Sequence, residues 1–281
     1  MNTAGYRHIL VGTDLGPDAQ RVLRETLRIA RRDRSRVTVL VAAPTVASTA
    51  RARADLAALL TRFPDDRLDI DGHTVQGHPA ASLSAMSADL KCDLVVVAAT
   101  RKGLLERFAV GSTAEALVRD CRAPVLVVGP EAAGPRRVIV GVGYTRECKL
   151  ALRAGYVQAF RDGAVLEAVH VGPSEGASAV RSDPSVETGL RQVSEGASAL
   201  RTYLGVSIPR QIHDQSVEAR HLLGWQPSLA IAKHAQETGA TLVVLGRHRP
   251  TLRRLLLGTT GQRVMRGLPC SLLAVGAPRL S

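Results

Sequence analysis

Aromatic side chains are scarce: three Phe, four Tyr and one Trp in 281 residues. A chain this poor in rings offers no stacking platform for single-stranded nucleic acid, and its core must be built from Val, Leu, Ile and Ala. Cysteine is also thin. Cys92, Cys121, Cys148 and Cys270 form no CxxC pair and have no metal-ligand spacing with the eight histidines, so they read as packed thiols in a reducing compartment. No apolar run approaches the ~18 residues of a membrane span. The opening "MNTAGYRHILVGTD" lacks a basic segment followed by a long apolar one, so no secretory signal is expected and the cytoplasm is the default location.

What the chain has is apolar bulk and positive charge. Hydrophobic residues make up 45%, enough for a sizeable core, and the length suits one large domain or two ordinary ones. Net charge is +12, with +3 before Ala133/Gly134 and +9 after it. An anionic partner is one reading of that excess; an arginine-rich solvated surface is the other. Nucleic-acid binding through the basic half predicts a steep loss of affinity with salt.

The sequence repeats itself. "HILVGTD" (His8–Asp14) matches "RVIVGVG" (Arg137–Gly143) at an offset of 129. "DLVVVAAT" (Asp93–Thr100) matches "TLVVLGRH" (Thr241–His248), and "VGST" matches "LGTT", Gly111 answering to Gly258 at an offset of 147. "APVLVVG" (Ala123–Gly129) answers "CSLLAVG" (Cys270–Gly276) at the same 147, so the second copy carries 18 extra residues within Gly172–Val206. In each copy β-branched runs alternate with amphipathic segments. Strands are expected at Ile9–Thr13, Val37–Ala42, Asp69–Val75, Val138–Val142, Val165–Val171 and Ile208–Val217, and helices at Ala19–Arg32 and Cys148–Phe160. Prolines 79 and 227 sit where a first helical turn tolerates them. Continuous apolar strands alternating with helices mean parallel strands covered on both faces, with right-handed crossovers. The expected architecture is α/β: two doubly wound five-stranded parallel-sheet domains in tandem, at 1–130 and 136–281, joined by a linker at 131–135.

The order of "VGTD", "QGHP", "DLVVVAAT", "GST" and "APVLVV", met twice over nearly the whole chain, resembles the universal stress protein family in its tandem two-domain form. That resemblance implies an adenine nucleotide α-hydrolase-like fold. It also implies that the last strands "APVLVVG" and "CSLLAVG" meet antiparallel, pairing the domains about a pseudo-twofold axis, with a further homodimer as an added level of assembly. Many members bind ATP, accompanied by Mg, at the strand ends; others do not. The family pattern is an Asp ending the first strand, a Val ending the second, and G-x-x-G-x9-G-[S/T] after the fourth. Physically, the carboxylate accepts from a ribose hydroxyl, the glycines let backbone N–H groups approach phosphate, and the last Gly-Ser/Thr opens a helix whose N-terminus favours an anion.

By resemblance, the first domain's ligand residues are Gly12, Thr13, Asp14, Ala42, Arg101, Gly103, Gly111, Ser112 and Thr113. Ala42 stands for the usual Val, Ala98 and Arg101 replace the leading glycines, and Gly103 lies two places late. The second domain supplies Val171, Gly246, Arg249, Gly258, Thr259 and Thr260, but Gly143 replaces the Asp and the loop is one residue short. Arg101 and Arg249 are cations able to grip phosphate directly. Other roles stay open: Asp14 as a cap of its turn or of the first helix, Ser112 and Thr259 as helix N-caps, His170 as a satisfied strand histidine. No nucleophile–base pair, paired carboxylates or metal cluster emerges from the spacing, so a binding module rather than an enzyme is expected. Two functions remain: a stress-response module binding ATP weakly or in one domain, and a partner-binding relative that has lost nucleotides.

Overall fold

The computed structural model describes residues 5–64, 67–101, 108–109, 111–129, 136–143, 146–172, 217–224, 226–247 and 269–276. The expected linker 131–135 lies outside them. The chain divides into two compact units: Met1–Gly129 together with Ser271–Ser281, and Pro130–Cys270.

The first unit runs β1 (His8–Gly12), α1 (Ala19–Asp33), β2 (Arg36–Ala43), α2 (Val46–Leu60), β3 (Ile70–Gln76), α3 (Pro79–Asp89) and β4 (Leu94–Ala98). A two-residue pair follows, β5 (Thr100–Arg101) against β6 (Phe108–Ala109), then α4 (Ser112–Asp120) and β7 (Val125–Val128). The sheet order is β7-β4-β1-β2-β3, all parallel. Ile9, Leu10, Val11, Val95 and Val96 are fully or almost fully buried, as strands covered on both faces require. Helix α1 turns Val22, Leu23, Thr26, Leu27, Ile29 and Ala30 inward. The one polar member, Thr26, donates its hydroxyl to Val22 O at 2.8 Å. The helix stops at Arg34, which adopts the left-handed conformation of a C-terminal cap.

The second unit contains β8 (Arg137–Gly141), α5 (Arg146–Asp162), β9 (Val165–Gly172), β10 (Val217–Leu223), α6 (Pro227–Glu237) and β11 (Leu242–Gly246). Its strands lie in the order β10-β9-β8-β11, again all parallel. Gly155 lets α5 sit close on β8, because a Cβ there would run into the Val140 side chain. Strand β10 departs from expectation: it begins at Val217, where the expected strand ended, and 208–216 lie outside the described residues. Its sequence VEARHLL carries charges unsuited to an apolar strand, yet Glu218 and Arg220 are tied by ion pairs to Arg137 and Glu167.

Strand β12 (Ser271–Val275) closes the second sequence copy but packs with the first unit. It pairs antiparallel with β7, Leu272 opposite Val127 and Ala274 opposite Val125. The Gly129 N–H donates to the Ser271 hydroxyl at 3.1 Å beside this pair.

Candidate functional site

In the first unit the chain leaves β1 toward β2 on one side and leaves β4 toward β7 on the other. The carboxyl ends of β1 and β4 are neighbours, so the crevice between them is the topological switch point at which open parallel sheets bind ligands. The loop after β1 is shaped by its own side chains. The Leu15 N–H donates to the Thr13 hydroxyl at 3.0 Å, and the Gly16 N–H donates to Asp14 Oδ1 at 2.8 Å. Leu15 takes φ +60° between them. Asp14 is exposed and thus caps its own turn; the residue at the N-cap of α1 is Asp18.

On the connection that leaves β4, Gly111 is the N-cap of α4 and Ser112 its first helical residue, without a side-chain cap. Ser112 therefore does not hold the N-cap. The Glu115 N–H is bonded to Gly111 O at 3.0 Å, so the amides of residues 112–114 have no carbonyl to reach within the helix. These amides and the positive end of the helix dipole make an anion-friendly surface. Ala42 stands, half-buried, near the end of β2. Gly12 has a packing reason of its own: a Cβ there would lie 2.5 Å from Leu83 Cδ1. Arg101 is described only in its backbone, in β5. Gly103, Arg249, Gly258, Thr259 and Thr260 lie outside the described residues.

Arg21 is a feature the sequence reading missed. Reaching from α1, its guanidinium donates to Ala99 O at 3.3 Å, Val128 O at 3.1 Å and Gly129 O, and pairs with Asp18 at 2.9 Å. It ties together the carboxyl ends of β4 and β7, and Ala99 is where the chain departs toward α4. The i,i+3 spacing of Asp18 and Arg21 was the available signal.

The second unit repeats the crevice between β8 and β11 with different contents. Gly143 holds no carboxylate. A Cβ on Gly246 would lie 2.7 Å from backbone atoms of Glu147, so this glycine is needed for close packing of β11 against the start of α5. Val171 is half-buried, with its Cγ1 3.6 Å from where a Gly224 Cβ would sit. His170 donates Nδ1–H to Val142 O at 2.8 Å, a satisfied strand histidine at the end of β9.

Each unit also carries a polar cluster within its sheet. In the first, Asp71 accepts from the Thr38 hydroxyl at 2.6 Å and pairs with Arg36 and His73, both at 3.1 Å. Burial pulls its carboxyl upward, but Thr38, His73 and Arg36 outweigh that, and its pKa falls below the usual 3.8. In the second, Glu167 is fully buried; it pairs with Arg220 at 2.5 Å, Arg137 at 3.4 Å and His234 Nε2 at 2.8 Å. A glutamate inside VLEAVHV was a visible anomaly in the sequence. A cavity of about 430 Å³ opens beside α6, lined by Leu222, Leu223, Leu229, Lys233 and His234 among others. Among the described residues, none of those expected to bind a ligand borders it. No group of three or more His, Cys, Asp or Glu poised for a metal occurs among the described residues. No helix among them is long and apolar enough to cross a membrane.

A family model described as "Universal stress protein family" matches residues 5–129 and again 134–276. The search of curated proteins returned no match. Among solved structures, a functionally unknown protein from Pseudomonas aeruginosa PAO1 superposes with TM-score 0.69 at 20% identity, covering 98% of this chain and 94% of that one. A putative universal stress protein from P. aeruginosa UCBPP-PA14 gives 0.68 at 20% identity, with the same coverage. A universal stress protein from Archaeoglobus fulgidus DSM 4304 gives 0.66 at 16%, covering 95% and 97%. At these identities the likeness speaks for the fold.

Proposed function

The chain belongs to the universal stress protein family, in tandem form, and on that premise we propose that its first unit binds an adenine nucleotide at the carboxyl ends of β1 and β4. What supports this reading is that the Asp14 turn follows β1 and the amino end of α4 lies on the connection that leaves β4, and β1 and β4 are paired neighbours in the sheet. Asp14 Oδ1 holds its turn, which leaves Oδ2, on an exposed side chain, to accept from a ribose hydroxyl. The amides of Ser112, Thr113 and Ala114 face the phosphates, with Mg accompanying ATP. Arg21 holds Ala99 and so sets the direction in which the phosphate loop departs. The second unit is the weaker site: Gly143 brings no carboxylate, and Gly246 is already accounted for by packing. The role is binding in a stress response rather than turnover.

The alternative is a partner-binding protein that has lost nucleotides; Ala98 and Arg101 at the leading glycine positions favour it. Calorimetry with ATP and ADP separates the two. The nucleotide reading predicts saturable heat for the wild type and about ten- to a hundredfold weaker binding for Asp14→Ala, the loss of a charged hydrogen bond of about 1.5–3 kcal/mol. No heat with either nucleotide removes that reading and leaves the partner-binding one.

A further inference from the structure

We infer that the cavity beside α6 binds a neutral small molecule with an apolar body and one hydroxyl or N–H group, which donates to His234 Nδ1. The site is built outward from Glu167. This side chain is fully buried in β9 and paired with Arg220 and Arg137, so it accepts as a carboxylate. His234, on α6, therefore donates Nε2–H to Glu167 Oε1 at 2.8 Å. That bond fixes both the tautomer and the direction of the ring. In the neutral imidazole the lone pair then stands on Nδ1. Among the described residues no protein group bonds to Nδ1, and the atom is not sealed from solvent. The residue as a whole is only 8% exposed, and it borders the cavity. Nδ1 is thus a pre-oriented acceptor that the cavity offers to a ligand.

The rest of the lining sets the ligand class. The volume, about 430 Å³, lies within the ~300–1,000 Å³ range of small-molecule pockets. Leu222, Leu223 and Leu229 supply an apolar wall. Leu223 is 41% exposed and Leu229 66%, so a ligand laid against them removes apolar surface from water. Lys233 and Glu237 also border the space, and they pair with each other at 3.7 Å. Their charges offset, so the rim favours neither ion: an anion has to compete with Glu237 for Lys233, and a cation with Lys233 for Glu237. A neutral molecule with a single donor meets no such competition.

The internal repeat shows that the fold does not require these residues. The third residue of β2 is Thr38 and that of β9 is Glu167; the eighth residue of α3 is Met86 and that of α6 is His234. The third and seventh residues of α3 are Ala81 and Ala85, where α6 has Leu229 and Lys233. The first copy builds the same helix on the same kind of parallel sheet without the carboxylate–imidazole pair or the leucine wall. The site is independent of the nucleotide reading, because it uses no residue of the first unit and no phosphate.

The test is titration of the full chain with 2-naphthol, followed by naphthol fluorescence, beside 2-methoxynaphthalene, which keeps the rings and lacks the donor. One 2-naphthol per chain is expected. The ether should bind about tenfold more weakly or worse, because it leaves a desolvated Nδ1 without a partner. His234→Phe should abolish the difference between the two ligands, Leu229→Ser should weaken both, and Met86→Leu in the first unit should change neither. Should the His234 variant fail to fold, the wild type still decides: 2-naphthol should shift the Nδ1 ¹⁵N signal of His234, and the ether should not shift it in the same way. Equal binding of the two ligands, no binding of 2-naphthol at millimolar concentration, or a His234 Nδ1 signal that saturating 2-naphthol leaves in place would overturn the assignment.

Discussion

At the level of single residues, the same physical group does different work in the two copies. Asp14 turns one oxygen on its own loop, and Gly143 answers it with nothing. Asp71 and His221 respond to pH for opposite reasons. Asp71 has a folded pKa below 3.8, so the native state binds its proton less readily than the unfolded chain does. Its contribution to stability is complete above the unfolded value and disappears as pH falls through the folded one. Burial, followed by the nearby His170, lowers the folded pKa of His221 as well. Between 6.5 and that lower value the unfolded chain holds more protons, so acidification through this window destabilises the native state. Urea midpoints measured from pH 7 to 3 should show both effects. His221→Asn flattens the upper limb near pH 6, and Asp71→Asn flattens the lower limb below pH 4. Unchanged slopes in the variants would refute these assignments.

At the level of elements, the sequence was readable wherever strands are buried on both faces and failed where charge enters the sheet. HILVG, LVVVA and LVVLG announce themselves because water touches neither side of them. VEARHLL does not, because its charges are satisfied only by partners on β8 and β9, which no local pattern shows. The same holds at the site. Asp14 and Gly111 are expected there from resemblance to the family's motif, whereas Arg21 acts on carbonyls about 80 to 110 positions away. The Glu167 cluster is the element-scale device most open to experiment. Its carboxylate is held inside β9 by Arg220, Arg137 and His234. Glu167→Gln leaves the Arg220 and Arg137 guanidiniums facing a neutral amide; because Arg220 is 51% and Arg137 27% exposed, water takes up part of the loss, and the cost is that of a charged hydrogen bond, about 1.5–3 kcal/mol. A marked fall in the urea midpoint is expected; a loss under ~1 kcal/mol would mean that water already screens the cluster.

For the whole molecule, repeat and packed unit are not coextensive. Ser271–Val275 belongs to the second copy by sequence and to the first unit by packing, with its edge on β7. Comparing the copies with each other does not show this, because a strand of this composition reads alike in either place; the family resemblance does imply that the two last strands meet antiparallel, and β12 lies antiparallel to β7. What the copies share is the switch point; what distinguishes them is its furniture, a carboxylate turn in one and Gly143 in the other. Amide shift mapping on the ¹⁵N-labelled full chain with ATP and Mg addresses that division most directly. Saturable shifts are expected at Thr13–Gly16 and Ser112–Ala114, with the amides of Val142, Gly143 and Gly246 moving less and saturating later. If ATP leaves Thr13–Gly16 and Ser112–Ala114 unmoved at millimolar concentration, the first unit does not bind a nucleotide at its strand ends.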